Sequence, residues 1–429
     1  MKLHYKLLPI ALACAMPCLS VHAQSPADLQ QEIAALRAQI KALSDKVEAL
    51  STTSAQAAPG ETAQQVTRLE QKIDLAQEDT IKSGLKGLKV RGVLEALYLR
   101  DSSHGVNVFS AAGDGSNATG ALELTKEAEG GDGVNWTLRL TPGKDSLVHE
   151  ATVSFPLVDG TRVYGGLIPD FQGYESGFAN LNPLITHNAL FDLAGPSNYT
   201  GVGMSHAIGK ELALKWMVGN IDGATDDTNN TPRTAGLAYR LDWTVNEYAY
   251  LGLSGAHANV ARQFNAMAID GGYIRGDWLF NGQLNAGTLT AGAYNGNDAK
   301  WWGLSALVGY KITPRLQLLA RADYLNNQDN GGGIYVFNYL NNPKDAANLS
   351  PLANTGLGPK LNDAGAITDP SMGADLTRVS LGTNYVLNPS TQWKTELRVD
   401  QSTGSNFVDE NGALTTHKTT VGTSIVVSF

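Results

Sequence analysis

Two periods divide this chain. From 27 to 50, ADLQQEIAALRAQIKALSDKVEAL, apolar residues recur at spacings of four and three; from about Lys86 onward they alternate one in two. The first pattern puts Leu29, Leu36, Leu43 and Leu50 at d positions and Ile33, Ile40 and Val47 at a positions of a coiled-coil seam about three heptads long. A polar linker near 51–63 interrupts it, and Val66, Leu69 and Ile73 restart it as far as Asp79. Residues 24–79 thus read as a coiled-coil helix with a linker. An amphipathic helix lying on its own domain is the alternative.

The second pattern predicts strands at 88–100, 119–127, 133–141, 147–157, 161–169, 198–208, 211–219, 234–245, 246–256, 268–280, 283–294, 301–312, 314–324, 377–387, 391–401 and 417–429. Every second connection is short: Val158-Asp159-Gly160, Ile208-Gly209-Lys210, Phe280-Asn281-Gly282, Thr313-Pro314 and Leu387-Asn388-Pro389-Ser390. Most of the others are long: 101–118, 170–197, 220–233, 257–267, 325–376 and 402–416. A soluble sandwich has no reason to sort its loops by parity. A transmembrane antiparallel up-and-down barrel does, with tight turns on the periplasmic rim and long loops outside.

The strand faces agree. Leu237, Tyr239, Leu241 and Trp243 oppose Ala238, Arg240 and Asp242; Trp393, Thr395, Leu397 and Val399 oppose Lys394, Glu396, Arg398 and Asp400. The chain stops inside such a strand, with Ile425, Val427 and Phe429 on its apolar face. A barrel of about sixteen strands over 86–429 must pair its last strand with its first, because lipid offers no partner to free backbone groups. The phenylalanine-ended tail also looks like the signal read by the barrel-insertion machinery of bacterial outer membranes.

Composition narrows the classes. Residues 1–23 read as a signal peptide: Lys2 and Lys6, the apolar LLPIALACAM, then Val21-His22-Ala23. Cys14 and Cys18 both lie within it, so the exported chain has no thiol for a disulfide, thiolate metal site or nucleophile. A lipoprotein anchor at either is the rival reading, which Pro17 and Ala11 fit poorly. No apolar run beyond it is long enough for a membrane helix, and a net charge of −9 argues against nucleic acid.

Sixteen strands leave room for an aqueous channel. Alternation assigns Lys89, Arg91, Arg139, Lys215, Arg240, Arg275, Arg315, Arg321, Arg378, Lys394 and Arg398 to its wall, against Glu95, Asp242, Asp277, Asp323, Glu396 and Asp400. The cationic surplus favours anions mildly. Neighbours two apart, Arg240 with Asp242, Arg275 with Asp277 and Arg321 with Asp323, could equally neutralise one another as a structural lattice. Other constellations are weak. DGATDDTNN at 222–230 lacks a full Ca²⁺-ligand spacing, and Ser205-His206 with His257 has neither nucleophile elbow nor positioned acid. Neither an enzyme, a cofactor nor a metal site is expected.

One segment carries a resemblance. Ile168-Pro169, then Gly173, Tyr174 and Glu175, Asn182-Pro183, Leu190, Phe191, Gly195, Pro196, Thr200, Gly201, Val202 and Asn220 follow a pattern similar to the OmpL-like β-barrel porins, distant relatives of the phosphate-selective porins. The whole layout also looks like an uncharacterised proteobacterial outer-membrane family. Where that pattern often continues Asn-Gly-Trp, this chain has Asn220-Ile221-Asp222, so no solute carries over. The resemblance implies an outer-membrane porin whose third external loop, 170–197, folds inward and sets Asp170, Tyr174 and Glu175 in the channel; capping the rim is the alternative. The expected function is passive diffusion of small hydrophilic solutes, some of them anionic. The runner-up is a structural protein that tethers the membrane to the cell wall through its coiled coil. General porins are trimers, whereas the a/d pattern prefers two strands; the short seam leaves barrel contacts in the lipid to dominate, and a homotrimer is expected.

Overall fold

The computed structural model describes residues 87–102, 107–111, 120–128, 133–142, 147–196, 198–221, 236–259, 263–333 and 357–429. The expected signal peptide, coiled-coil seam and linker fall outside these, as do DGATDDTNN and residues 335–340.

The strands are β1 (Leu88–Asp101), β2 (Asn107–Ala111), β3 (Gly120–Lys126), β4 (Asn135–Leu140), β5 (Val148–Val158), β6 (Thr161–Pro169) and β7 (Asn198–Ile208). Next come β8 (Leu212–Ile221), β9 (Gly236–Asn246), β10 (Ala249–Asn259), β11 (Gln263–Arg275), β12 (Trp278–Leu289) and β13 (Ala299–Lys311). The last are β14 (Leu316–Asn326), β15 (Leu376–Asn388), β16 (Thr391–Ser402), the small hairpin β17 (Phe407–Val408) and β18 (Leu414–Thr415), and β19 (His417–Ser428). All but the hairpin join one antiparallel sheet of 17 strands. β2 and β3 lie along the same edge of β1, from Ala96↔Ala111 to Arg100↔Asn107 and from Leu88↔Lys126 to Leu94↔Gly120. They share one position, which gives a closed barrel of sixteen. The upper half of the second position therefore comes from within the segment expected to be loop 101–118.

The closing seam is β1 against β19, in register from Val93↔Ser428 to Asp101↔Thr420. Phe429 continues it: its carbonyl accepts from the Gly92 amide at 2.8 Å, and its own amide donates to the Gly92 carbonyl at 3.0 Å. A Cβ on Gly92 would meet the Phe429 ring, so the glycine is what lets the ring lie against β1.

Two expected connections are corrected. Phe280-Asn281-Gly282 is not a turn. β12 runs straight through it, with Tyr273↔Phe280 and Phe280↔Val308 in register, and the chain reverses at Gly276-Asp277, where Gly276 takes φ +60°. That turn lines up Trp278, Phe280 and Leu284 on the outer face, which outweighs the local turn preference of Asn-Gly. The long loop expected at 257–267 is also short. β10 and β11 extend to Asn259↔Gln263, because Ala258, Phe264 and Ala266 bury on the inner face. The other tight connections, 159–160, 209–211, 247–248, 312–315 and 389–390, share one rim with both ends of the barrel.

The polarity is inside out. Leu94, Val202, Ile269, Leu284, Leu381 and Ile425 are exposed outward, whereas Glu95, Asp270, Arg321, Asp323, Lys394 and Glu396 are buried inside. Aromatic residues gather near both ends of the apolar band: Trp278 with Tyr310 and Phe280 near the tight-turn rim, Trp302 with Tyr324 and Tyr98 with Phe109 toward the other. An apolar outer wall of this extent with aromatic girdles is the surface a bilayer solvates. No described helix is long and apolar enough to cross a membrane, and the strands make the crossing.

Candidate functional site: the loop inside the barrel

Loop 170–196 leaves β6, crosses the barrel interior and returns to β7. Its own sequence shapes it. Gly173 takes φ +80° and packs where a side chain would strike Gln283 of β12. The Asn182 side chain accepts from the Ser176 amide at 2.9 Å and donates to the Ser176 carbonyl, closing a tight bend. Asn188 caps the short helix α1 (Ala189–Leu193) by accepting from the Phe191 amide at 2.7 Å. Leu190 of α1 then packs onto the wall at Gly303, where a Cβ would clash.

Buried charges on β14, β15 and β16 hold this loop. The Arg321 guanidinium, wholly buried, donates to Glu175 at 2.9 Å, to the Thr186 carbonyl at 2.7 Å and to the His187 carbonyl at 2.8 Å. Asp323 lies 3.4 Å from the same guanidinium and accepts from the Ala189 amide at 3.0 Å. Glu396 accepts from the Ile185 and Thr186 amides at 2.9 and 2.7 Å and from the Thr186 hydroxyl. Arg378 bridges Asp192 of the loop (2.7 Å) and Asp400 of the wall (2.8 Å), and the Lys394 ammonium donates to the Ala179 and Asn182 carbonyls. Tyr174 shares a 2.7 Å hydrogen bond with Ser305 of β13. Lys394 is held by backbone carbonyls and every other charge here is ion-paired, the condition under which buried ions hold a geometry rather than disrupt it.

Burial pushes the Glu175 carboxyl up, with Arg321 opposing. Burial acts the same way on Asp192, but Arg378 and His187 outweigh it and hold that carboxyl below the usual range. At the neck of the loop, Asp170 accepts from the Tyr199 hydroxyl and from the Gln172 amide at 3.2 Å. Burial pushes its carboxyl up to about 7.

The family profile described as "Putative beta-barrel porin-2, OmpL-like" matches residues 92–429, and so takes in nearly the whole barrel, loop included. The chain belongs to this family of OmpL-like porins. Among solved structures it is similar to OmpT, an outer membrane protein of Vibrio cholerae, at 11% identity and TM-score 0.52, covering 80% of this chain and 97% of that one. It is also similar to an anion-selective porin from Comamonas acidovorans (10% identity, TM-score 0.52, 80% and 99% covered). The outer membrane channel DcaP of Acinetobacter baumannii is a third (12%, 0.51, 80% and 97%). At such identities the likeness is one of fold. No curated protein matches.

Of the residues that carry the family pattern, Ile168 to Pro196 belong to the inward loop and its approach, and Thr200, Gly201, Val202 and Asn220 to β7 and β8. Asp170, Tyr174 and Glu175 lie against Tyr199, Ser305 and Arg321 respectively. Of the expected wall charges, Glu95, Arg139, Lys215, Arg240, Asp242, Arg321, Asp323, Arg378, Lys394, Glu396, Arg398 and Asp400 face inward. Arg91 does too, 4.0 Å from Glu123 with its side chain 69% exposed, while Lys89 pairs with Glu127 at 2.5 Å on the exposed rim. Arg240 meets Asp242 at 2.8 Å, as its spacing suggested.

Three assignments are corrected. Asp277 and Arg315 stand in turns, and Arg275 is on the outward parity of β11, its guanidinium 5.0 Å over the Tyr248 ring. No described contact joins Arg275 to Asp277. The shifted turn is the cause, since it moves Arg275 to a strand end. Alternation also overlooked inward carboxylates. Glu123 and Glu150 flank Arg139, and Asp270 binds Arg240 at 2.8 and 2.9 Å. With these and the loop acids counted, the wall's cationic surplus disappears. Asp270 was legible, because Ala266, Ala268 and Asp270 alternate once β11 starts at Gln263.

Proposed function

We propose that the chain forms a water-filled channel through the outer membrane for passive diffusion of small hydrophilic solutes, with loop 170–197 setting the bore. Transport here is diffusion rather than catalysis. The observation that carries this reading is the anchorage of the loop: Arg321 binds Glu175, Thr186 and His187 from the opposite wall. Nothing in barrel stability demands such a strut, whereas a defined aperture does. A mild anion preference is part of the proposal, and it rests on Lys215 below the loop rather than on a wall-wide surplus. For the assembly we propose a homotrimer, with residues 24–79 in the periplasm.

Conductance of the purified, folded protein in planar bilayers tests the reading, with Arg321→Met as the informative variant. Removing one partner of a buried ion cluster costs about 3–5 kcal/mol. That is enough to undock the loop while the sheet stays closed. Wild type should conduct in steps, and the variant should conduct more and more noisily. Folded wild type that conducts nothing refutes the proposal. A cation-selective reversal potential in a salt gradient refutes the anion preference alone.

A further inference from the structure

We infer that the wall below the loop carries a binding site for a small organic acid, a carboxylate on a compact apolar body, built around Lys215. This rests on the channel reading and adds a place and a ligand class to it.

Lys215 on β8 faces the lumen and stands directly opposite Arg240 of β9 in the ladder. The two like charges take different partners. Arg240 turns to Asp242 and Asp270, a reach that Gly252 permits because a Cβ there would strike the guanidinium. The Lys215 ammonium instead lies 4.8 Å from the centre of the Phe171 ring and 5.5 Å from that of Tyr164. No described carboxylate comes within ion-pair distance of it. Two aromatic faces fix an ammonium in place without forming an ion pair, so no carboxylate meets its charge at contact distance.

Beside it opens a cavity of about 780 Å³ whose lining includes Arg162, Ser205, Ala207, Ala213, Lys215 and Asp242. Ala207 and Ala213 are register partners and form a small apolar wall next to the lysine. Arg162 is oriented by the Ser154 hydroxyl at 3.1 Å and the Gly133 carbonyl at 2.7 Å. Of the two acids in the lining, Asp242 is engaged by Arg240, and Asp159 stands in the turn between β5 and β6. At the loop, by contrast, Arg321 and Arg378 are tied to carboxylates and Lys394 to backbone carbonyls. An acid entering the channel would therefore be retained under the loop rather than at it, with its carboxylate on Lys215 and its body along the alanine wall.

Single-channel recording of the full-length protein, with benzoate as the probe and benzamide as its neutral isostere, tests this. Benzoate should reduce the current of wild type and of Lys215→Arg, and benzamide should not. Lys215→Gln should weaken the benzoate block at least tenfold and lower the anion-to-cation permeability ratio. Should Lys215→Gln fail to fold, Ala213→Asp places a carboxylate in the cavity with the lysine intact, and it should weaken the block in the same way. Equal benzoate block in wild type, Lys215→Gln and Ala213→Asp, or equal block by benzamide, overturns the site while the channel reading stands. Absence of any wild-type conductance overturns both.

Discussion

Single residues decide whether the loop stays across the barrel, and Asp170 sits at its neck. An ordinary aspartate ionises near 3.8, but burial pushes this one up to about 7, with the Tyr199 hydroxyl only partly offsetting it. The loop's packing is thus compatible with the neutral acid. Its contribution to stability is complete below pH 3.8, declines as pH rises toward 7 and levels off beyond. We therefore expect current noise from loop movement to grow between pH 5 and pH 8 in wild type and to stay flat in Asp170→Asn. A wild-type trace with no pH dependence over that range contradicts the assignment. At this scale the sequence was partly legible. The family pattern pointed to Asp170, Tyr174 and Glu175, and alternation found Arg321 and Arg378. Nothing local revealed that Arg321 would bind Glu175, 146 positions away.

At the scale of elements, the strands were readable because the pleat sends neighbouring side chains to opposite faces. Errors came where a local turn signal competed with the ladder. Asn281-Gly282 offered a turn, but Gly276-Asp277 gave one that kept Trp278 and Phe280 outward in register. The closing seam makes the sharpest demand on one position. Gly92 exchanges two backbone hydrogen bonds with Phe429 and leaves the space its ring occupies. A Gly92→Leu variant should displace that ring, at a cost of about 1–3 kcal/mol for overpacking. The fraction of heat-modifiable, folded band on unheated denaturing gels should fall, with Gly92→Ala intermediate. If Gly92→Leu folds as fully as wild type, the ring contact is not part of closure.

For the whole molecule, residues 87–429 form a compact unit distinct from 1–86. The barrel is closed by its own ladder, with no edge left for another segment to satisfy. Deleting 24–79 behind an intact signal peptide should therefore leave single-channel conductance unchanged. A loss of envelope integrity with unchanged conductance would assign residues 24–79 a tethering task beside the channel. Loss of conductance itself would show that the barrel depends on that segment. The distribution of charge belongs to this scale as well. A wall that looks cationic when its strands are read one at a time is balanced once Glu123, Glu150, Asp270 and the loop acids face it.

The sequence alone determined the period-two strands, the sorting of tight turns to one rim, the polarity of the two faces and the need to seal the final strand against the first. These follow from backbone geometry and from the absence of hydrogen-bond partners in lipid, and both act over a few residues at a time. The tertiary structure decided which carboxylate meets which cation, how the loop spans the interior and why Lys215 rests on aromatic rings instead of an acid. Those outcomes join residues as far apart as Ala179 and Lys394, which closure of the sheet brings together and no local period encodes.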